Sequence, residues 1–473
     1  MNSAPPNQPD QVVAPSDDIP NFLMLDQIPT NYVQQLETDL LEPVVFQQGT
    51  TTSDGFARFT LQNKGFLHSH SKIFLSIEPQ GTTTASYLQP HVGIAQVIKK
   101  AVLKIGNKAL NELDSWDALF AVKSSLITNE NNIEREQYLT GRSLAHEFTY
   151  NAKSSQNASD YGLSNGMEYT SGRLNAPEWA QMVASKKNEC PSFSIDLSDL
   201  FPFLKVNQLP LYMINEPINI ELYFHPTIGK RLQIPSGQTV DQEMFIARDQ
   251  LKFAADYIYY GASDEMARYA AANPDLSFSF VDYRLVEHST DATALASGVV
   301  RNLGMANRMV PRVITLMVDT DTAAGETSIL GSNNSKALSI SADGVLGAVK
   351  YNIRYNDRFE YTSDVDNTSR LFSEFTNSEG IPFITRQEYS NAGSVAGGIS
   401  SVDTYEGRIQ DTFLSGHFFY MGSRLTNGRV GNRGLELFIT ADVAGQNVNL
   451  LRCYCEYIRV ARLSNGLFDV FNA

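Results

Sequence analysis

Alternation of apolar and polar side chains predicts β strands along most of the chain. The run 218–224 alternates strictly, with four apolar residues on one face and Asn219, Glu221 and Tyr223 on the other. Further strands are predicted at 72–77, 434–440 and 450–460, and turn-forming residues separate them. Because the predicted helices are few and short, the pattern is typical of all-β barrels or sandwiches.

A pattern near residue 110 recurs in the second half of the chain. Residues 100–120 predict a strand, a turn at Gly106-Asn107, a second strand and a short helix ending in Leu-Phe. Residues 350–372 predict the same order, with the turn at Asn356-Asp357. The two Leu-Phe pairs end 252 residues apart, at 120 and 372. A period of half the chain predicts two related domains, because solenoid repeats are far shorter.

The middle of the chain predicts a hinge between the two halves. Residues 257–260 read as the end of a strand, rich in aromatic and β-branched side chains. Ser263 is then a candidate N-cap of a short helix, with Asp264 and Glu265 in the first turn, where the helix dipole favours negative charge. Strand character returns at 276–287. The strand–helix–strand order predicts a short connection between two β domains.

Composition narrows the possible functions. The 473 residues allow two domains with sizeable cores, and 26 Phe and 21 Tyr supply bulky packing material. Only 19% of residues are charged, which predicts much buried or partner-covered surface. The formal net charge of −15 argues against extensive electrostatic binding to nucleic acid.

The three cysteines do not predict a disulfide framework. Cys453 and Cys455 are two residues apart on a predicted strand, so both side chains face the same side. We expect buried thiols that fill a core rather than a metal or redox site. Cys190 stands alone.

Few residues are candidates for catalysis or metal binding. His68 and His70 share a face of a possible strand, but no Cys, Asp or Glu lies beside them in the sequence. The pairs Asp319/Asp321 and Asp364/Asp366 are interpreted as turn residues between strands rather than calcium ligands. Asp196 and Asp199 are expected to cap a short helix near Leu200, and the sequence has neither a Gly-x-Ser-x-Gly elbow nor a phosphate-binding Gly-Lys-Ser/Thr loop. We therefore predict no catalytic residue, cofactor or metal.

Several segments outside the predicted strands have a composition of their own. Residues 1–37 are expected to form a proline-rich arm, either a disordered tail or an arm that docks beneath a neighbouring subunit, and 28–40 could hold a short helix. Residues 137–190 and 376–411 are predicted as long loops. The N-terminus lacks the apolar core of a secretory signal, and no run approaches the roughly 20 apolar residues of a membrane span.

The hinge segment resembles a known family. Tyr257, Tyr259, Asp264, Glu265 and Arg268 stand in an order similar to that of double-jelly-roll major capsid proteins of double-stranded DNA viruses. In that family a Tyr-rich strand end leads into an acidic, Arg-containing helix where the chain passes from one barrel to the next. The strand that follows has Asp282 at a position where a Glu is usual. After it, Tyr283-Arg-Leu-Val-Glu287 continues the matching order. The resemblance covers roughly 40–463 and is greatest to virophages, polinton-like viruses and the giant-virus lineage.

The resemblance implies an all-β fold of two tandem eight-stranded jelly-roll barrels with a few short helices. The predicted organisation is an arm at 1–37, a first barrel at 38–262 with the loop 137–190, a second barrel at 263–463 with the loop 376–411, and a tail at 464–473.

It also implies a structural role in a virion. Three copies would form a pseudo-hexameric homotrimer that tiles an icosahedral shell, assembled inside the host cell. Expected partners are neighbouring capsomers, a penton protein and minor cement proteins, without sequence-specific nucleic-acid binding and without a membrane span.

Two other classes of function stay open. One is a carbohydrate- or receptor-binding protein of the spike or lectin type, in which Tyr138, Tyr150, Tyr161, Tyr169 and Trp179 of the long loop would stack on sugars. The other is an enzyme on a double β-barrel of the cupin type. That scaffold needs clustered histidines with a carboxylate, and the spacing in the sequence does not provide them.

Overall fold

The computed structural model describes most of the predicted strands. The described residues are 33–50, 52–79, 93–127, 139–141, 192–226, 228, 244–260, 263–321, 326–327, 350–366, 420–425, 428–440 and 448–472. The predicted loops 137–190 (apart from 139–141) and 376–411, and also Cys190, therefore lie outside the described residues.

The strands before residue 261 form what we term the first unit. They are β1 (Val33–Leu41), β2 (Val45–Gln47), β3 (Gly55–Leu61), β4 (Phe66–Leu67), β5 (Lys72–Leu75), β6 (Ile77–Pro79), β7 (Ile98–Ile105), β8 (Lys108–Asp114), β9 (Phe193–Asp196), β10 (Leu209–Pro210), β11 (Ile218–Phe224), β12 (Met244–Ile246) and β13 (Lys252–Tyr260). One sheet has the order β10-β4-β13-β5-β9 with β1 also on β13, a second has the order β2-β3-β11-β7-β8, and β12 pairs with β6.

The strands after residue 274 form the second unit. They are β14 (Asp275–Ser289), β15 (Val299–Gly304), β16 (Arg312–Asp321), β17 (Glu326–Thr327), β18 (Lys350–Tyr355), β19 (Arg358–Phe359), β20 (Tyr420–Arg424), β21 (Leu435–Thr440), β22 (Val448–Ser464) and β23 (Leu467–Asn472). One sheet has the order β14-β22-β16-β17, with β20 on β16 and β23 on β22, and the other has the order β15-β21-β18-β19.

Among the described residues the α-helices are few and short, as predicted. They are α1 (Trp116–Ile127), α2 (Leu197–Leu200), α3 (Pro202–Val206), α4 (Ser263–Ala272) and α5 (Ala292–Ser297). The strand–helix–strand order at the middle of the chain is confirmed, because α4 lies between β13 and β14. It ends just before Asn273-Pro274, as expected from the restriction that proline places on the preceding residue. None of the described helices is both long and apolar enough to cross a membrane.

Strand order confirms the predicted duplication. In the first unit β3, β11, β7 and β8 lie side by side, and in the second unit β15, β21, β18 and β19 repeat that order. The hairpins β7–β8 and β18–β19 turn at Gly106-Asn107 and Asn356-Asp357, and Gly106, Asn356 and Asp357 have positive φ, as tight hairpin turns require. The predicted helix of the second repeat lies beyond residue 366, outside the described residues.

The other two sheets also match. The closing strand β13 pairs with β1 on one side and with β5 on the other, and β5 pairs with β9. The closing strand β22 pairs in the same way with β14 and β16, and β16 pairs with β20. β1 is therefore the counterpart of β14 and belongs to the body of the first unit. The short helix expected within 28–40 is wrong for 33–40, because these residues pair with β13 along their length.

Alternation explains how each unit fills its interior. β11 buries Ile218, Ile220, Leu222 and Phe224, while the residues between them are only partly covered. Side chains of the two sheets meet inside the first unit, where the rings of Phe59 and Phe253 are 5.9 Å apart. Packed apolar faces of this kind supply the main favourable free energy of folding.

Two local predictions in the second unit need correction. Asp319 and Asp321 lie in strand β16 rather than in a turn, because the ladder with β22 continues as far as Asp319. Residues 467–472 of the predicted tail form β23, which pairs with β22. The Asn465-Gly466 turn accounts for this hairpin, since both residues have positive φ. Asp364 behaves as expected of a turn residue and accepts a 3.0 Å hydrogen bond from Asn352 Nδ2.

The two thiols of β22 are free and fully buried, as predicted. Burial raises the pKa of Cys453 to about 12 and also raises that of Cys455. Because the thiolate is the reactive form, we expect neither to be alkylated by iodoacetamide at pH 8 in the native protein and both to react in urea. Peptide mass spectrometry reads out each site, and modification of either in the native state would contradict the buried placement.

Candidate functional site: the junction of the two units

The two units meet along an aromatic contact. On the first unit, Phe203 of α3 lies edge-on to Phe278 and Phe280 of β14, with ring centroids 5.7 and 5.1 Å apart. Phe278 also stacks on Phe468 of β23 at 6.3 Å. Aromatic pairs in this geometry add to the free energy of area burial. The junction is therefore packed like a protein interior rather than like a loose linker.

A buried carboxylate lies beside these rings. Asp282 of β14 is 2% exposed and accepts hydrogen bonds from four groups. Three donors belong to the second unit: Arg459 Nη1 at 2.8 Å, the Tyr457 hydroxyl at 3.2 Å and the Tyr283 backbone N–H at 3.0 Å. The fourth is Asn111 Nδ2 of the first unit, at 3.1 Å. Asp282 thus joins the two units through a buried polar cluster.

Asn111 holds the opposite side of this cluster. Its side chain is fully buried, and its Oδ1 accepts a 3.1 Å hydrogen bond from the backbone N–H of Phe203. The β7–β8 ladder pairs Leu103 with Asn111 but Lys104 with Ala109, so Leu110 is an extra residue, a bulge. Bulges redirect neighbouring side chains. This one buries both Leu110 and Asn111, and the Leu110 carbonyl accepts from Arg459 Nη1 at 3.0 Å.

The environment of Asp282 has opposing effects on the ionised form of its carboxylate. Burial raises the pKa of Asp282 above its ordinary value, while the Arg459 guanidinium and the Asn111 amide act in the other direction. A carboxylate in such a place is costly without its partners. The cluster therefore tolerates little displacement of one unit against the other.

A second buried carboxylate lies on β22. Glu456 is 6% exposed, accepts from the Tyr283 hydroxyl at 2.6 Å and from Arg312 Nε at 3.0 Å, and lies 3.8 Å from Lys123 Nζ of α1. Burial opposes its ionisation, but the charges of Arg312 and Lys123 and these hydrogen bonds outweigh it and hold the pKa of Glu456 below its ordinary value. Nearby, the Tyr454 hydroxyl donates to the Ser115 carbonyl at 2.8 Å.

The β22–β23 turn closes the far end of the junction. The backbone N–H of Asn215 donates to the Gly466 carbonyl at 2.9 Å, and that of Phe468 donates to Glu216 at 2.9 Å. Lys108 donates to the Phe468 carbonyl at 2.7 Å. Gly466 has φ +81°, and a Cβ there would lie 2.1 Å from Asn215 Nδ2, so both the turn and the close approach require glycine.

The hinge residues named from the sequence lie on the first unit and on α4. Tyr257 is fully buried in β13, and Tyr259 donates to Glu37 of β1 at 2.8 Å. Arg268 of α4 is exposed. Asp264 and Glu265 also lie in α4, but their side chains are outside the described part of the chain. A hinge role for these five residues stays a prediction.

The histidine pair and the expected caps have other partners. The rings of His68 and His70 lie 5.3 Å apart, and His70 Nδ1 is 3.2 Å from Asp196. Asp196 holds the N-cap position of α2 but makes no capping hydrogen bond, so the capping expectation is wrong; its side chain accepts from Lys72 at 2.9 Å. Asp199 lies in the first turn of α2, 3.6 Å from Lys205. Among the described residues, no group of three or more His, Cys, Asp or Glu could hold a metal ion.

Truncation of Asn111 tests the junction cluster. Asn111→Ala leaves the Phe203 N–H without its acceptor and removes one donor from Asp282, so we expect a loss of about 2–3 kcal/mol in the free energy of unfolding. Asn207→Ala is the matched control, because Asn207 also donates across the junction, to the Ser279 carbonyl at 3.1 Å, but from a partly exposed position. We expect it to cost at most about 1 kcal/mol. Equal losses in urea unfolding would contradict the assignment.

The lowered pKa of Glu456 gives a pH dependence with a defined sign. The folded state holds the carboxylate more firmly than the unfolded state, so the stabilisation is complete above the ordinary pKa of about 4.5 and is lost as pH falls through the lower folded value. We expect Glu456→Gln to be less stable than wild type at pH 7, and the difference to shrink below pH 4.5. Urea unfolding from pH 7 to pH 3 measures it, and a constant difference would contradict the ionised assignment.

Comparison with known proteins finds similarity in structure alone. No protein-family model and no curated protein matches the sequence. A chain of the PBCV-1 virus capsid superposes with a TM-score of 0.53 at 11% identity, over 93% of this chain and 98% of that chain. A chain in the cryo-EM structure of the Sputnik virophage gives a TM-score of 0.53 at 9% identity, over 100% of this chain and 93% of that chain.

These similarities extend over both units and the junction between them. At identities near 10% they establish the fold and nothing more. Together with the duplicated strand order, they show that the chain has the all-β, double-jelly-roll fold of viral capsid proteins.

Proposed function

We propose that this protein is a major capsid protein, which forms pseudo-hexameric homotrimers that tile an icosahedral virus shell. The observation that carries the proposal is the buried junction, which holds two copies of one β architecture side by side in a single chain. The similarity in fold to a chain of the PBCV-1 capsid supports it. The protein would then reside in the virion after assembly inside the host cell.

The duplicated architecture suits a shell. Three chains supply six β units, so a three-fold assembly has a near-hexagonal outline, and hexagonal blocks cover a curved surface efficiently. Closed point-group symmetry is the rule for soluble homo-oligomers. A junction that flexed would blur this outline, whereas the Asp282 cluster favours a single arrangement of the two units.

The same proposal assigns roles to the parts of the chain. The boundary between the barrels falls at 261–262, the segment from Tyr257 to Arg268 acts as the inter-barrel hinge, and residues before β1 act as an arm toward a neighbouring subunit. Neighbouring capsomers, a penton protein and minor cement proteins are the proposed partners. The role is structural rather than enzymatic.

Charge bears on how the genome is handled. A formal net charge of −15 disfavours extensive contact with phosphate groups. We propose that genome contact is indirect or is made by other, basic proteins. The spike or lectin alternative depends on five aromatic residues of the long loop, and all five lie outside the described residues: Tyr138, Tyr150, Tyr161, Tyr169 and Trp179.

Native mass tests the proposed function. Multi-angle light scattering of the purified full-length chain should give three times 52.4 kDa, about 157 kDa, and negative-stain images of the same peak should show a hexagonal outline. A chain that remains monomeric across the accessible concentration range, or that forms a dimer, would contradict the proposal. Glycan binding by such a monomer would favour the lectin alternative.

A further inference from the structure

The outer face of β1 is the counterpart of a face of the second unit that the first unit covers. The closing strands carry matching segments, Asp256-Tyr-Ile258 in β13 and Glu456-Tyr-Ile458 in β22. Opposite the tyrosines of these segments lie Glu37 in β1 and Asp282 in β14. The two units can therefore be compared residue by residue along these strand pairs.

The match extends to side-chain hydrogen bonds. In the first unit the Thr38 hydroxyl donates to Asp256 at 2.5 Å, and in the second the Tyr283 hydroxyl donates to Glu456 at 2.6 Å. In both pairs the hydroxyl lies directly opposite the carboxylate in the ladder. The face that carries Thr38 in the first unit therefore corresponds to the face that carries Tyr283 in the second.

In the second unit this face is covered from within the chain. Tyr454 is 1% exposed and bonds to Ser115, while Glu456 lies beside Lys123. Ser115 and Lys123 both follow β8 of the first unit. The first unit therefore packs on the second through the segment that comes after its β7–β8 hairpin.

In the first unit the part of this face that β1 forms is open. Leu36 and Leu40, on either side of Thr38, are 60% and 58% exposed, and Val44 just beyond the strand is 65% exposed. Leu285 of β14, the counterpart of Leu40, is partly buried against the core. Among the described strands β1 pairs with β13 alone, so its outer edge is unpaired as well. Exposed apolar residues clustered on an edge strand mark an interaction surface.

We propose that the β1 face of Leu36, Thr38 and Leu40 docks a second copy of this chain. The second unit of that copy would cover it, repeating between chains the contact that the first unit makes to the second within one chain. Continuity with the internal junction identifies the occupant, because the covered and open faces share the same ladder register and hydroxyl–carboxylate pair. The inference rests on the proposed function and assigns the residues of its subunit interface.

Repetition of this contact from chain to chain can form a closed ring. Each chain offers one open first-unit face and one second unit to cover the next copy, which makes the contact heterologous. Heterologous contacts generate rings when the rotation closes. If the rotation that relates the two units within a chain resembles the one that relates units of neighbouring chains, a ring of three chains has six nearly equivalent junctions.

The test replaces the two exposed leucines. Leu36→Glu with Leu40→Glu places two carboxylates on the proposed contact, and the side chains are exposed enough that the monomer should fold with an unchanged melting temperature. We expect the association constant of the trimer to fall by roughly 100-fold or more, because the substitutions replace two apolar anchors of the interface with charged side chains. Sedimentation velocity over a range of concentrations measures this, with circular dichroism as the control for folding.

A matched control lies on the second unit. Val300 of β15 is 49% exposed and apolar, and Val300→Glu should leave the trimer intact. The proposal is overturned if the double variant stays trimeric, as it would if residues 1–32 of the same chain cover the face, or if Val300→Glu dissociates the trimer equally. A wild-type chain that does not trimerise would instead count against the proposed function itself, so the two failures are distinguishable.

Discussion

The buried carboxylate of Asp282 is the constraint on which the arrangement of the two units depends. Three of its donors lie on the second unit and one, Asn111, lies on the first, so a shift between units separates a buried charge from a partner. Loss of this hydrogen bond costs about 2–3 kcal/mol, more than the same loss at an exposed position. The aromatic contact of Phe203 with Phe278 and Phe280 excludes water from the cluster and so strengthens it. Apolar packing stabilises the junction, and the polar cluster selects one orientation.

Duplication gives this junction a consequence beyond the single chain. The two closing strands, β13 and β22, present the same ladder and the same hydroxyl–carboxylate pair on one face. One copy of that face is buried inside the chain, whereas the other exposes Leu36 and Leu40. Under the proposed assembly, the open face is covered by a second copy of the chain. The contact between units within one chain is therefore the template for the proposed contact between chains.

Sequence patterns predicted the local elements and missed the long-range ones. Alternation at 218–224 and the strand–helix–strand order around α4 are local signals, and the structure confirms both. β1 was missed because its leucines at 36 and 40 have helical spacing, and pairing with β13 outweighs that local preference. Asn111 and Asp282 lie 171 residues apart, so no local pattern links them. The available signal was Asp282, a polar residue that follows Leu276, Phe278 and Phe280 at alternate positions of β14.

A cryo-EM reconstruction of the purified, assembled protein would show how the two units of neighbouring copies meet. We expect three copies around a three-fold axis, six β units at nearly equal angular steps, and the outer face of β1 in each copy against the second unit of the next. Within each copy, Asn111 and Asp282 should remain in contact. A two-fold dimer, or a trimer in which the β1 face points to solvent, would contradict the proposed assembly.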